Sequence, residues 1–117
     1  MGIISDAIYS PGRSIREILQ RLSLLSYFDY FVFSDEVGKS KPSPVIFNDL
    51  CEKAEVEPFE FAHIGDRLSN DIIGADKFGA KGIFCGVVHQ RNMEDADLSF
   101  TSYTELQELL LANNLLD

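Results

Sequence analysis

Two aspartates frame one turn. In Ala62-His63-Ile64-Gly65-Asp66-Arg67-Leu68-Ser69-Asn70-Asp71-Ile72-Ile73-Gly74-Ala75, the apolar run 61–64 reads as a buried strand and Gly65 breaks it. Asp66 stands where that strand ends, and Asn70 or Ser69 is placed to cap a helix that carries Ile72, Ile73 and Ala75 inward. Two carboxylates beside such a turn suit a hard cation such as Mg²⁺, which takes oxygen ligands. They equally suit a capped turn with two solvated acids, and Asp71 favours a helix N-terminus whether or not it meets metal. Elsewhere Ser5 closes an apolar run, and Lys41 sits in a polar loop. If all of these follow parallel strands, they open on one edge of the sheet. Hydroxyl, ammonium and two carboxylates on one edge make a phosphate-plus-metal site. The hydroxyl bonds a phosphoryl oxygen, the ammonium neutralises phosphate charge, and the acids hold the cation. Taken singly, Ser5 is also an ordinary strand-end serine and Lys41 a solvated loop lysine.

The elements that must position these residues alternate. Gly2-Ile3-Ile4-Ser5 reads as a short buried strand, and Ser10-Pro11 as a helix start with proline at the first helical position. Ile15, Ile18, Leu19, Leu22 and Leu25 follow at helical spacing as one apolar face. A second strand is expected over 28–34, then a polar loop over 35–42. Ser43-Pro44 opens a helix that buries Ile46, Phe47, Leu50 and Ala54. After the acidic turn a helix is expected over about 70–78, ended by Gly79 in the left-handed conformation. A fourth strand over 81–85, an irregular loop carrying His89 and Arg91, and a last short strand over 96–100 complete the sheet. Ser102-Tyr103-Thr104-Glu105 fits a capping box ahead of a closing helix with Leu106, Leu109 and Leu110 inward. Strands alternating with helices imply right-handed crossovers and a parallel sheet covered on both faces. The expected fold is therefore a Rossmann-like three-layer αβα parallel sheet, organised as a single domain over 1–117.

Composition narrows the function. The 117 residues carry ten basic and nineteen acidic side chains, a net charge of −9, which disfavours nucleic acid and anionic membranes. No apolar run reaches transmembrane length, and the first residues are too short for a signal peptide. Cys51 and Cys85 lack metal-ligand spacing and read as reduced core thiols of a cytoplasmic protein. His63, on a buried strand, reads as a satisfied core histidine, and nothing separates His89 and Arg91 from plain exposed loop residues.

The motifs together resemble the haloacid dehalogenase (HAD) superfamily, phosphatase-like branch. Gly2-Ile3-Ile4-Ser5-Asp6 looks like its second motif, a hydrophobic strand ending in Ser or Thr. Lys41-Pro42-Ser43-Pro44 looks like the third, and Gly65-Asp66-Arg67-Leu68-Ser69-Asn70-Asp71 matches the acid-bearing fourth. The separations, 36 residues from Ser5 to Lys41 and 25 from Lys41 to Asp66, also suit it. The resemblance implies phosphoric-ester hydrolysis with Mg²⁺ on a small phosphorylated metabolite. It implies Asp66 as a direct Mg²⁺ ligand, and Asp71 as a further ligand or a support through water. Ser5 and the backbone N–H of Asp6 would hold the phosphoryl group, and Lys41 would orient phosphate and nucleophile.

The family's first motif, Asp-x-Asp on a central strand, supplies the nucleophile that becomes an aspartyl-phosphate, and it is not found ahead of Ser5. The nearest match, Asp6-Ala7-Ile8-Tyr9-Ser10, has isoleucine in place of the general acid/base. Without that central strand its two neighbours lack a hydrogen-bonding partner. The neighbours close up, or another chain or a complementing N-terminal segment supplies the strand, or the chain is a piece of something longer. Two function classes follow: the phosphate- and Mg²⁺-binding part of a hydrolase, inactive without a supplied nucleophile, or a non-catalytic module that acts in oligomerisation. A phospho-acceptor domain with Asp66 as acceptor fits less well, because it does not explain the Lys-Pro-x-Pro loop.

Overall fold

β-Branched Ile3 and Ile4 favour extended backbone, and in the computed structural model β1 spans Gly2–Ser5. Residues 1–7 and 11–115 are described. The Asp6-to-Ser10 segment and the Ser10 helix start therefore fall partly outside them. The chain divides into two compact units, 1–57 and 58–117, where the sequence was read as one domain.

In the first unit β1 runs parallel to β2 (Tyr30–Phe33), with Gly2 opposite Tyr30 and Ser5 opposite Phe33. The crossover is α1 (Gly12–Arg21). Pro11 precedes the helix with extended backbone, φ −64° and ψ 157°, and offers no side-chain cap. The Asp35 carboxylate takes the cap's place, accepting the Gly12 N–H at 3.1 and 3.2 Å. Asp35 belongs to α2 (Ser34–Val37), where a loop was expected. A helix of one turn is too short to leave a periodic signature. The apolar stripe expected of α1 is only partly inward: Ile18 and Leu22 are 54% and 62% exposed. The helix packs instead through buried Gly12, which lies against the Phe33 ring. It also packs through Arg16, whose guanidinium lies over that ring at 4.7 Å and pairs with Glu36 at 2.6 Å. α3 (Pro44–Ala54) starts as expected, with Ser43 Oγ accepting the Val45 N–H, and buries Ile46, Phe47, Leu50 and Cys51. With Val32 and Phe33 these make the core of this unit.

In the second unit β3 (Ala62–Gly65), β4 (Lys81–Cys85) and β5 (Leu98–Phe100) form a parallel sheet in that order. His63 lies opposite Gly82, and Ile83 opposite Leu98. The helix expected over 70–78 is two pieces: a π-helical turn, Leu68–Ile73, running into α4 (Gly74–Phe78). Gly79 ends α4 at φ 102°, a left-handed conformation that glycine adopts without a Cβ penalty. Ile72, Ala75, Ile83, Phe84 and Phe100 form the core here. α5 (Tyr103–Ala112) is capped by Ser102 Oγ, which accepts the Glu105 N–H at 3.2 Å. The returning carboxylate of Glu105 goes to the N–H and hydroxyl of Thr101, at 2.9 and 2.8 Å, one residue earlier than a standard capping box. Those bonds, the Thr101 N–H first, hold the Glu105 carboxyl below its ordinary range.

The parallel strands and crossover helices make this a Rossmann-type α/β chain. Among the described residues of its own unit, β1 is paired on one side only, by β2, and β3 on one side only, by β4. Each keeps one open edge among the described residues of its unit. No helix among the described residues is long and apolar enough to cross a membrane.

Candidate active site

The first unit carries the predicted phosphate-binding residues at the carboxyl end of β1. Ser5 is its last residue, and Asp6 follows with its side chain turned to the Lys41 loop. Asp6 Oδ1 accepts the Lys41 N–H at 2.8 Å. The next peptide is fastened too, since the Ala7 N–H donates to Ser34 Oγ at 2.6 Å. The structure thus brings Ser5, Asp6 and the Lys41 backbone to one place. Lys41-Pro42 is cis, and Ser43 immediately starts α3. The sequence reading assigned Asp6 its backbone N–H and weighed its carboxylate only as the nearest nucleophile match; the bond to the Lys41 N–H was not legible, because residues 35 apart leave no local pattern.

The second unit carries the predicted metal-binding residues. Asp66 leaves the end of β3 with its side chain 50% exposed, its Oδ2 3.5 Å from His89 Nε2. His89 is held edge-on to Phe84, ring centroids 6.1 Å apart. Asp66, Arg67, Leu68, Ser69, His89, Arg91 and Asn92 line one open cavity of about 460 Å³. In a chain of net charge −9, two arginines and a histidine around one aspartate make a locally mixed, anion-tolerant rim. The loop histidine and arginine that the sequence left undecided therefore face the same space as Asp66.

Asp71 is placed differently. It is 3% exposed, and its Oδ1 lies 2.9 Å from Nε2 of His63, itself 8% exposed. A carboxylate oxygen can only accept, which assigns the ring proton to Nε2. Asp71 Oδ2 accepts the Arg67 N–H at 3.1 Å, and the Asp71 N–H returns to the Arg67 carbonyl at 2.8 Å. A Cβ on Gly65 would land on the Asp71 carboxylate, so only glycine leaves room for it. His63 is a satisfied core histidine, as its alternation along the strand suggested, and its partner is the second acid of the motif.

These donors fit a magnesium ion in a limited way. Among the described residues no three His, Cys, Asp or Glu side chains converge as a metal cluster. Mg²⁺ keeps several waters and takes one or two carboxylates plus substrate phosphate, so the exposed Asp66 carboxylate suits it. Both oxygens of Asp71 already accept hydrogen bonds.

Comparisons with known proteins show the family and the fold. The sequence profile of the family described as haloacid dehalogenase-like hydrolase matches residues 1–85. A glyceraldehyde 3-phosphate phosphatase of Pyrococcus furiosus is 35% identical over 111 residues, covering 93% of this chain and 45% of that protein. The crystal structure of a HAD phosphatase from Thermococcus onnurineus superposes with a TM-score of 0.80 at 33% identity, over 93% of this chain and 49% of that one. The HAD-hydrolase YfnB of Bacillus subtilis, solved bound to magnesium, shares the fold with a TM-score of 0.80 at 20% identity, over 93% of this chain and 48% of that one. The chain spans less than half the length of these relatives. The strand-end serine, the Lys-Pro-Ser-Pro helix start and the Gly-Asp turn all fall within the matched residues, and the chain belongs to the haloacid dehalogenase-like hydrolase family.

Proposed function

We propose that this chain supplies the phosphate- and Mg²⁺-binding portion of a phosphoric-ester hydrolase acting on a small phosphorylated metabolite. The observation that carries the reading is Asp66: an exposed carboxylate at a parallel strand's carboxyl end, beside a cavity rimmed by Arg67, His89 and Arg91. Ser5 and the Asp6 N–H hold the phosphoryl oxygens, and Lys41 orients the phosphate. Asp6 keeps the Lys41 loop against the strand end through the 2.8 Å bond. Mg²⁺ held by Asp66 would screen the phosphate charge from an anionic nucleophile. The relatives named as phosphatases support the reaction class.

In this reading the nucleophile is an aspartate on a strand that a complementing segment supplies, since no described strand carries an Asp-x-Asp motif at its carboxyl end. The open edges of β1 and β3, each within its own unit, support this, because unpaired backbone N–H and C=O groups favour strand addition.

The test is hydrolysis of p-nitrophenyl phosphate with Mg²⁺, by the chain alone and with a strand-forming peptide that ends in Asp-x-Asp, with the mass followed by light scattering. The expected result is activity only with the peptide, abolished by Asp66→Asn. A stable assembly that is inactive under every complementation would make the chain a non-catalytic oligomerisation module. Activity of the chain alone, lost on Asp6→Asn, would make Asp6 the nucleophile and overturn the assignment.

A further inference from the structure

The buried His63–Asp71 pair takes no part in the chemistry just described, yet it lies directly behind the turn that presents Asp66. His63 stands in the middle of β3, and its Nε2–H donates to Asp71 Oδ1 at 2.9 Å. The other oxygen, Asp71 Oδ2, receives the N–H of Arg67, the residue next to Asp66. The same carboxylate fills the space beside Gly65, the residue on Asp66's other side. Both peptide neighbours of Asp66 therefore rest on one carboxylate, and that carboxylate is oriented from the strand by His63. The backbone bond from Asp71 N–H to the Arg67 carbonyl, 2.8 Å, closes the turn into a ring.

From this we infer that His63 is a positioning residue for Asp66, acting through Asp71 as a buried strut. The inference rests on Asp66 as the metal-binding carboxylate and adds to it the reason that carboxylate is preorganised. Mg²⁺ demands near-ideal octahedral geometry, so a ligand on an unsupported turn would lose affinity to its own freedom. Turning Asp71 outward as a direct ligand would break a bond to His63 or to Arg67 in a site that is 3% exposed. As a strut it keeps both. An ordinary core polar pair would stabilise the fold equally well but would leave the Asp66 turn and its metal affinity indifferent to the donor at position 63.

The experiment uses the whole chain with His63→Phe, which fills the space without a donor, and His63→Gln, which restores one. Mg²⁺ affinity is measured by calorimetry, and amide hydrogen exchange is compared at Arg67 and at Phe84 in the core of β4. In His63→Phe, Mg²⁺ binding weakens by about tenfold or more, the usual effect of removing a group that orients a metal ligand. Exchange at Arg67 accelerates while Phe84 stays protected, and His63→Gln recovers most of both. Unchanged affinity and unchanged Arg67 exchange in His63→Phe would overturn the inference. If the wild-type chain binds no Mg²⁺, the metal role of Asp66 fails, and Arg67 exchange alone decides whether His63 holds the turn. Should His63→Phe not fold, Asp71→Asn decides: its amide oxygen still accepts the Arg67 N–H, and its NH2 donates to His63 Nε2 once the ring proton sits on Nδ1. A strut then keeps Arg67 exchange near wild type and loses less than about tenfold in Mg²⁺ affinity, whereas a loss of more than about tenfold with Arg67 still protected would make Asp71 a ligand and overturn the inference.

Discussion

Asp6 and Asp66 occupy equivalent places, each the first carboxylate at the carboxyl end of a parallel strand, and the two units use them in opposite ways. Asp6 turns back and fastens its own neighbourhood, its Oδ1 accepting the Lys41 N–H. Asp66 stays half exposed, its Oδ2 3.5 Å from His89 Nε2. The difference lies in who secures the turn. In the first unit no other described carboxylate bonds the Lys41 N–H. In the second, Asp71 bonds the Arg67 N–H and fills the space beside Gly65, which leaves Asp66 available. A carboxylate remains free for a ligand where a second, buried one has taken over the structural task.

Substitutions can break or sharpen that contrast. The largest effect is expected of Asp71→Ala, which strands a buried histidine and the Arg67 N–H. It should destabilise the chain by about 3 kcal/mol, read from the urea midpoint at constant m. A loss below about 1 kcal/mol would mean that Asp71 does not secure the turn. Asp6→Ala removes one charge-assisted, part-buried bond and should cost about 1.5 kcal/mol by the same measurement. Glu36 is an intermediate case, a carboxylate paired but 40% exposed. The Arg16 guanidinium hydrogen-bonded to it holds its carboxyl below the ordinary value of 4.5. Its contribution is therefore present above about pH 4.5 and lost as pH falls through the lowered value. Glu36→Gln should cost less than about 1 kcal/mol at neutral pH, and the difference from wild type should vanish in acid and shrink in high salt. Asp66→Asn should be the mildest of all for stability, within about 0.5 kcal/mol, while removing Mg²⁺ binding. A large loss of stability there would erase the contrast with Asp6.

Burial makes a similar comparison between the cysteines. Burial first, and then the Glu57 charge, push the Cys51 thiol up, away from the reactive thiolate. Half-buried Cys85 should therefore be alkylated first in the native chain, and Cys51 only on unfolding.

Much of the fold was legible because its signals are local. Ser43-Pro44 and Ser102 announce their helices by a hydroxyl that reaches the next turn, Gly79 announces a left-handed end, and apolar runs announce each strand. Elements without a periodic window were not legible: the single-turn α2, and the π-helical turn at Leu68–Ile73 that begins two residues before the expected helix. The stripe of α1 misled for a related reason. Spacing alone marked Ile18 and Leu22 as inward, but Gly12 and Arg16 provide the packing face, since glycine permits close approach and arginine covers the Phe33 ring.

For the site, the residue types and their order along the chain came from the sequence itself. A hydroxyl at a strand end, a lysine before a Pro-x-Pro start and two acids five positions apart are the set the sequence offers for phosphate and metal binding. How the acids divide their labour came only from the tertiary structure. Asp66 and Asp71 are the same residue type in the same motif, and nothing in their spacing says which is exposed. That is decided by a histidine eight positions before Asp71 on a buried strand and by the missing side chain of Gly65. Burial and hydrogen-bond partners are properties of the folded surroundings, and they set which carboxylate must satisfy the protein and which is left to meet a ligand.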